Sequence, residues 1–206
     1  MARKARIARK TRETDITVEL NLDGGGASDV KSPIPFLDHM LNSLAKHGLF
    51  DLRVRAKGDI EVDFHHTIED VGLCLGEAFK KAVGDKAGIR RCGSAQVPMM
   101  DSLASVVLDF SGRPYFKLNT SADSAALTKR IFPAGMADEG FDFGLVEEFM
   151  IAFANSSGAD LHVTLHYAKD PHHAIEAVFK ALGRALDAAT GKDARIKGVM
   201  STKGKL

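Results

Sequence analysis

Apolar and polar residues alternate along several short stretches of the chain, which is the pattern of half-buried β-strands. The clearest stretch, 14–22, carries an apolar residue at every second position from residue 16 and ends in a Gly-rich turn. The same pattern predicts strands at 29–33, 51–59, 102–110, 113–118 and 160–170. The basic segment before residue 14 is interpreted as an edge strand, with a targeting or nucleic-acid-binding arm as the alternative.

Four other stretches carry apolar residues three and four positions apart, which predicts amphipathic helices. They cover 36–46, 67–84, 145–155 and 174–191. The order helix, strand, His-His-x-x-Glu, helix therefore occurs twice, with "HHTIE" at 65–69 and "HHAIE" at 172–176. We interpret the chain as an internally duplicated unit of strands, helix, strands and helix.

The duplication predicts the domain organisation. Residues 1–92 form the first half and 93–206 the second, and together they make one compact functional domain. One copy alone would leave apolar helix surface uncovered, whereas two copies can bury their helices between two sheets. The small, polar segment 120–140 contains Gly and Pro, fits neither copy, and is predicted to be a long loop.

Composition and charge narrow the class of protein. The 206 residues can bury a sizeable core, and a formal net charge of +1 implies no general attraction to nucleic acid or membrane. The chain has no run of 18 apolar residues, so no membrane span is expected. The two cysteines, Cys74 and Cys92, form no Cys-x-x-Cys motif, which fits a reducing compartment and predicts a cytoplasmic protein.

The repeated motif carries the candidate chemistry. Adjacent residues on a helix point about 100° apart, while residues three or four apart share a face. The two histidines of each motif therefore diverge, which suits two metal ions better than one. Imidazole plus carboxylate, with no thiolate, is a ligand set for Zn, Mn, Fe or Ni. A single His-His pair is more often structural, and the helix dipole favours a glutamate in the first turn, but the repetition favours metal binding.

A third position repeats as well. His39 lies 26 residues before His65, and Glu148 lies 24 residues before His172, on equivalent predicted helices. The order along the chain therefore predicts two similar ligand sets, one in each half. They are His39, His65, His66 and Glu69 in the first half, and Glu148, His172, His173 and Glu176 in the second.

Five segments together resemble imidazoleglycerol-phosphate dehydratase of histidine biosynthesis: "PIPFLDHML", "DFHHTIEDVG", "SGRPY", "DPHHAIEAVFKALGRAL" and "STKG". The resemblance runs from about residue 5 to the end and rests on the order and spacing of these segments. It implies an α/β (α+β) fold of the ribosomal protein S5 domain 2-like type, with helices sandwiched between two four-stranded sheets. It also implies a homo-oligomeric 24-subunit shell, formed from trimers, with active sites at subunit contacts. The chain is too short for the phosphatase domain of enterobacterial members, so the monofunctional form is expected.

The reaction that the resemblance implies is the dehydration of D-erythro-imidazole glycerol phosphate to imidazole acetol phosphate. Two manganese ions per active site hold the substrate's imidazole as imidazolate, acting as Lewis acids and as a template. The family's metal ligands match His39, His65, His66, Glu69, Glu148, His172, His173 and Glu176. Glu13 matches an acid that contacts the substrate, and Glu13 and Glu176 are the two candidates for proton transfer. A phosphate-binding cradle, suited to guanidinium forks and a Lys beside a hydroxyl, matches Arg91, Arg113, Ser201 and Lys203.

The chain departs from the family pattern in four places. The usual Arg-Phe-Gly reads Arg-Cys-Gly at 91–93, and the usual Pro-Met-Asp-Glu reads Pro-Met-Met-Asp at 98–101. Segment 120–140 is longer than typical, and no proline precedes Ser201. Two alternatives stay open: a metal-dependent hydrolase that uses a metal-bound hydroxide, and a structural shell whose metal ions only cement the subunits.

Overall fold

Two four-stranded sheets and four α-helices make up this computed structural model, which describes residues 3–120, 125–131 and 140–205. The strands of the first half are β1 (Lys4–Lys10), β2 (Thr14–Asn21), β3 (Ser28–Lys31) and β4 (Asp51–Gly58). Those of the second half are β5 (Cys92–Met99), β6 (Ser102–Asp109), β7 (Tyr115–Thr120) and β8 (Asp160–Tyr167). The helices are α1 (Pro35–Gly48), α2 (His65–Val83), α3 (Phe143–Ser157) and α4 (Pro171–Thr190).

The two sheets have the same topology. Their strand orders are β1-β2-β4-β3 and β5-β6-β8-β7, and in each sheet the last pair is parallel while the other pairs are antiparallel. The elements of the first half end at Val83 and those of the second begin at Cys92. The prediction of a duplicated fold with two four-stranded sheets is confirmed.

The core lies between the sheets, where the helices cover the inner face of each. In β2 every second side chain is buried, including Ile16 and Val18, which are fully inaccessible. Large aromatic side chains fill the space between the helices, with Phe79 of α2 stacked edge-on against Phe153 of α3. Burial of each such side chain stabilises the folded state by about 1.5–3 kcal/mol, because apolar surface is removed from water. No helix among the described residues is long and apolar enough to cross a bilayer.

Two glycines let the helices of one half approach those of the other. A Cβ at Gly183 of α4 would lie 2.5 Å from the carbonyl oxygen of Leu44 in α1. A Cβ at Gly76 of α2 would lie 2.5 Å from the carbonyl oxygen of Phe153 in α3. Any side chain would push these backbones apart, so the absence of a side chain sets how closely the helices approach at both crossings. Each motif helix therefore packs against a helix of the opposite half.

Two segments show where the sequence patterns were incomplete. Strand β5 was not predicted from alternation, because it contains Pro98 and Gly93, which interrupt a strand pattern. A Cβ at Gly93 would lie 2.0 Å from the carbonyl oxygen of Ala185, so this glycine lets β5 lie directly on α4. The basic N-terminal segment does form an edge strand, β1, as predicted.

The predicted loop 120–140 is partly structured. Its first residue ends β7, a short 3-10 turn covers Ala125–Thr128, and Ile131 exchanges two backbone hydrogen bonds of 2.7 Å with Phe141. Positions 121–124 and 132–139 of the predicted loop lie outside the described residues.

Candidate active site

The motif histidines lie in the first turns of α2 and α4, because these helices begin two and three residues earlier than predicted. Asp170 is the N-cap of α4, and its carboxylate accepts a hydrogen bond of 3.1 Å from the backbone N–H of His173. Asp63 accepts a bond of 2.8 Å from the backbone N–H of His65. These acids satisfy donors that a helix start leaves unpaired, so each histidine pair is held on a defined first turn.

One group of side chains, the first cluster, consists of His39, His172 and Glu176. Oxygen Oε2 of Glu176 lies 3.1 Å from Nε2 of His172 and 3.3 Å from Nε2 of His39. One potential ligand atom from each residue lies within 4.8 Å of the others. Two imidazoles and a carboxylate that converge in this way can hold one divalent metal ion.

Both oxygens of Glu176 are engaged, and its side chain is 9% exposed. While Oε2 faces the two histidines, Oε1 accepts from Nζ of Lys180 at 2.7 Å. Burial alone would raise the pKa of this carboxyl, but the bonds from Lys180 and His39 outweigh it and hold the pKa below its usual value. Glu176 is therefore an anion fixed in place, which is the state that a metal ligand needs.

A second cluster consists of His65, Glu69 and Glu148. Nε2 of His65 lies 3.9 Å from Oε2 of Glu69, one helical turn along α2, and 4.0 Å from Oε2 of Glu148 on α3. Its composition is one imidazole and two carboxylates, where the first cluster has two imidazoles and one carboxylate. The same three positions of each repeat therefore produce two similar groups of ligand atoms.

The grouping of the ligands differs from the one that chain order predicts. The sequence placed His39 with the motif of its own half, but the structure places it with His172 and Glu176 of the other half. In the same way, Glu148 joins His65 of the first half. The physical reason is the close packing of α1 on α4 and of α3 on α2 at the two glycine crossings.

The second histidine of each motif points elsewhere. Nδ1 of His66 lies 3.1 Å from a carboxylate oxygen of Asp59, and Nδ1 of His173 lies 3.1 Å from one of Asp101. The bond to Asp59 raises the pKa of His66. Sequence reasoning missed both aspartates as site residues. Asp101 was noted only as a departure from the family pattern, although an acid at a strand end near the motif is a signal that could have been used.

Glu13 lies in the turn between β1 and β2, exposed and close to His66. Its backbone N–H donates to Oγ1 of Thr11 at 3.1 Å, and its charge is one of those that raise the pKa of His66. The turn is tied to α2 through Asp70, a buried carboxylate that accepts hydrogen bonds from Thr14 and, at 2.7 Å, from Arg9. Glu13 is thus held near the His66 end of α2.

The four residues that match a phosphate cradle surround one cleft of about 760 Å³, the C-terminal cleft. Its lining comprises Arg91, Ser111, Gly112, Arg113, Met200, Ser201, Thr202, Lys203 and Lys205. The cleft has four cationic side chains, of which sequence reasoning missed Lys205. The excess of positive charge suits a dianionic group.

Arg91 holds the C-terminal segment against the cleft. Its Nε and Nη2 each donate to a different carboxylate oxygen of Asp109 at 2.6 Å, and Nη1 donates to the carbonyl oxygen of Met200 at 2.8 Å. The bidentate pair raises the pKa of Arg91 above its usual value. This arginine both adds positive charge and positions the chain next to Ser201.

The C-terminal cleft and the first cluster lie at opposite ends of α4. The backbone N–H of Arg91 donates to the carbonyl oxygen of Ala189, 17 residues along the helix from His172. At about 1.5 Å per residue this corresponds to roughly 25 Å. A small substrate cannot reach both places on one chain.

Part of segment 120–140 lies beside the second cluster. Arg130 lines a pocket of about 350 Å³ together with His65 and Glu148. Its guanidinium forms an ion pair of 3.3 Å with Asp142, the N-cap of α3. This part of the predicted loop therefore contributes to the wall of the candidate site.

Comparisons with known proteins find relatives of this chain both in sequence and in fold. A family model described as Imidazoleglycerol-phosphate dehydratase matches residues 32–186. Curated relatives of that name from Citrifermentans bemidjiense and Geobacillus kaustophilus are 53% and 52% identical over 206 residues, covering 100% of both chains in each case. A crystal structure of IGPD from Pyrococcus furiosus in complex with (S)-C348 matches with a TM-score of 0.79 and 34% identity, covering 97% of this chain and 100% of that one. The Imidazoleglycerol-phosphate Dehydratase structure from Staphylococcus aureus matches with a TM-score of 0.77 and 33% identity, over 92% and 99% of the two chains.

Proposed function

The chain belongs to the imidazoleglycerol-phosphate dehydratase family, a family of hydro-lyases, and from this premise we propose how its site works. The substrate is D-erythro-imidazole glycerol phosphate and the product imidazole acetol phosphate. Two manganese ions bind, one at the first cluster and one at the second. The observation that carries the proposal is the convergence of ligand atoms in two clusters of related composition.

The donor atoms fit this metal. Each cluster combines imidazole nitrogen with carboxylate oxygen, and neither contains a thiolate, which is the set that Mn²⁺ accepts. Two ions held by these residues would supply Lewis acidity toward the substrate's imidazole ring and so favour its imidazolate form. His66 and His173, whose rings point away from the clusters of their own chain, complete the coordination at sites shared with neighbouring subunits.

Proton transfer from carbon C2 of the substrate falls to Glu13. The alternative, Glu176, has both carboxylate oxygens engaged and a lowered pKa, so it is a weak base. Glu13 is exposed, and its turn is fixed by the hydrogen bonds of Thr11 and Asp70. A rigid turn with an open carboxylate next to a predicted metal ligand, His66, supports the assignment of Glu13 as general base. Glu13 then passes this proton to the hydroxyl at C3, which leaves as water, so that dehydration produces no net change in protonation of the protein.

Arg91, Arg113, Ser201 and Lys203 bind the substrate's phosphate in the C-terminal cleft. The distance of roughly 25 Å along α4 supports a site made from more than one subunit. One chain supplies the clusters and a neighbour supplies the cleft. We further propose that the subunits assemble into a 24-subunit shell. Because Cys74 and Cys92 are both free thiols, we also propose a cytoplasmic location, where thiols stay reduced.

Turnover by metal-free protein tests the proposal. Purified chain is stripped with a chelator, and imidazole acetol phosphate is followed after adding Mn²⁺, with metal content and particle mass measured in parallel. We expect product only with metal, two ions per site and a large closed assembly. Assembly that requires metal but yields no product would support the structural-shell alternative. Turnover by a single subunit would overturn the shared site.

A further inference from the structure

The two histidines of each motif contact neighbouring carboxylates through different ring nitrogens. His65 and His172 direct Nε2 into the clusters of their own chain. His66 and His173 instead direct Nδ1 at an aspartate, each at 3.1 Å. Among the described residues, Nε2 of His66 and of His173 has no hydrogen-bond partner. This arrangement is the same in both halves of the molecule.

Duplication of an ancestral unit does not account for the two aspartates. Asp59 follows β4, whereas Asp101 precedes β6. The strand registers make Glu13 the counterpart of Asp101, because each directly precedes the second strand of its half. The positions that follow β8, Ala168 and Lys169, are not acidic. The two halves therefore reach the same His–Asp bond from different places in the fold, which indicates a functional requirement.

Both aspartates are held by their backbone surroundings. The N–H of Asp59 donates to the carbonyl oxygen of Glu13 at 3.2 Å, and its own carbonyl accepts from Val62 at 2.8 Å. Asp101 follows Met100, which has a φ of 47°, in the left-handed region that few residues other than glycine adopt. This strained turn points the Asp101 carboxylate at His173, and Ser102 donates to it at 3.1 Å.

A neutral imidazole carries its proton on one nitrogen and a lone pair on the other. A carboxylate that accepts from Nδ1–H stabilises the tautomer whose lone pair is on Nε2, and also sets the orientation of the ring. The aspartates therefore prepare His66 and His173 to donate through Nε2, away from their own chain's clusters.

We propose that Asp59 and Asp101 are positioning residues that hold His66 and His173 as Nε2-directed metal ligands. The proposal rests on the metal-binding function above. It assigns a role to Asp101 at a place where the chain departs from the family pattern. It also gives Asp59 and Glu13 separate roles in the first half. Asp59 orients His66, so Glu13 stays free to face the substrate.

The test measures the affinity of metal-free protein for Mn²⁺ by the electron paramagnetic resonance signal of free Mn²⁺. Variants Asp59→Ala and Asp101→Ala are each expected to weaken binding about 10–100-fold, the usual effect of losing such a partner. Asp101→Asn keeps an acceptor for Nδ1–H and is expected to lose less than Asp101→Ala. The matched control is Asp160→Ala, which removes a different His–Asp bond, of 2.9 Å to His162, and leaves the affinity unchanged.

The outcomes separate the inference from the function on which it rests. If wild-type protein does not bind Mn²⁺, the proposed function fails. If wild-type binds and both alanine variants bind equally well, the positioning role is wrong. Thermal unfolding of the metal-free variants shows whether each variant is folded. If Asp101→Asn and Asp101→Ala lose equal affinity for Mn²⁺ at an unchanged unfolding temperature, the tautomer argument is also contradicted.

Discussion

Substituting Gly183 by alanine is expected to weaken one metal site and leave the other intact. The new Cβ would lie 2.5 Å from the carbonyl oxygen of Leu44, and ordinary contact begins at 3.4 Å, so α1 and α4 must separate by about 0.9 Å (3.4 minus 2.5). Such overpacking costs about 1–3 kcal/mol, while alanine gains about 1 kcal/mol of helix propensity over glycine. The net loss of stability is therefore small, about 0–2 kcal/mol.

Metal binding is affected as well, because the first cluster spans the crossing. His39 lies on α1, whereas His172 and Glu176 lie on α4. Metal–ligand distances tolerate only about ±0.2 Å, so a separation near 0.9 Å disrupts this cluster. The second cluster, built on α2 and α3, keeps its geometry. We expect Gly183→Ala to lower the affinity for one of two Mn²⁺ ions at least tenfold.

Titration calorimetry with Mn²⁺ checks this expectation, with urea unfolding of the metal-free protein to measure stability. Gly25→Ala is the control, because nothing lies within 4 Å of its Cβ position. Gly76→Ala provides the mirror experiment, since it separates α2 from α3 and should affect the other ion. Wild-type affinity for both ions in Gly183→Ala would refute the role of the helix crossing in assembling the cluster.

Three further substitutions test other parts of the site. Glu13→Gln should lower kcat by about 10²–10⁴ with unchanged metal content, which steady-state kinetics and metal analysis check; near-normal kcat would remove Glu13 as the base. Arg91→Lys loses the bidentate bond to Asp109 and should raise KM for the phosphorylated substrate about 10–100-fold with a smaller change in kcat. The raised pKa of His66 means that its pair with Asp59 stabilises the metal-free fold below about pH 6.5, and that this contribution disappears as the pH rises through the raised value. Urea midpoints against pH should show a larger loss in the wild type than in Asp59→Leu, where only the charges of Glu13 and Asp63 still raise the pKa of His66.

The secondary structure could be read from the chain where the apolar period is regular. Helices α2 and α4 were predicted to within three residues, because their apolar faces repeat over many turns. Strand β5 was missed, since its burial depends on Gly93 fitting against α4, a contact that alternation does not encode. Duplication was visible because the order of elements and the motif repeat together.

For the candidate site, too, one part could be predicted from the sequence and another part could not. The residue types that bind metal follow from the repeated His-His-x-x-Glu motif and its third position, which are local features of the sequence. The membership of each cluster does not, because His39 and Glu148 join motifs of the opposite half. Asp59 and Asp101 gave no periodic signal at all.

The sequence by itself therefore determined most of the helices and strands, the duplication, the family and the kinds of ligand atom, because each depends on residue identity at short or repeated spacing. The tertiary structure decided which ligands meet, which nitrogen each histidine presents, and that the C-terminal cleft and the first cluster lie at opposite ends of α4. These properties depend on how closely helices distant in the chain can approach. At Gly76 and Gly183 that distance is set by the absence of a side chain, whose effect appears only when two backbones are brought together.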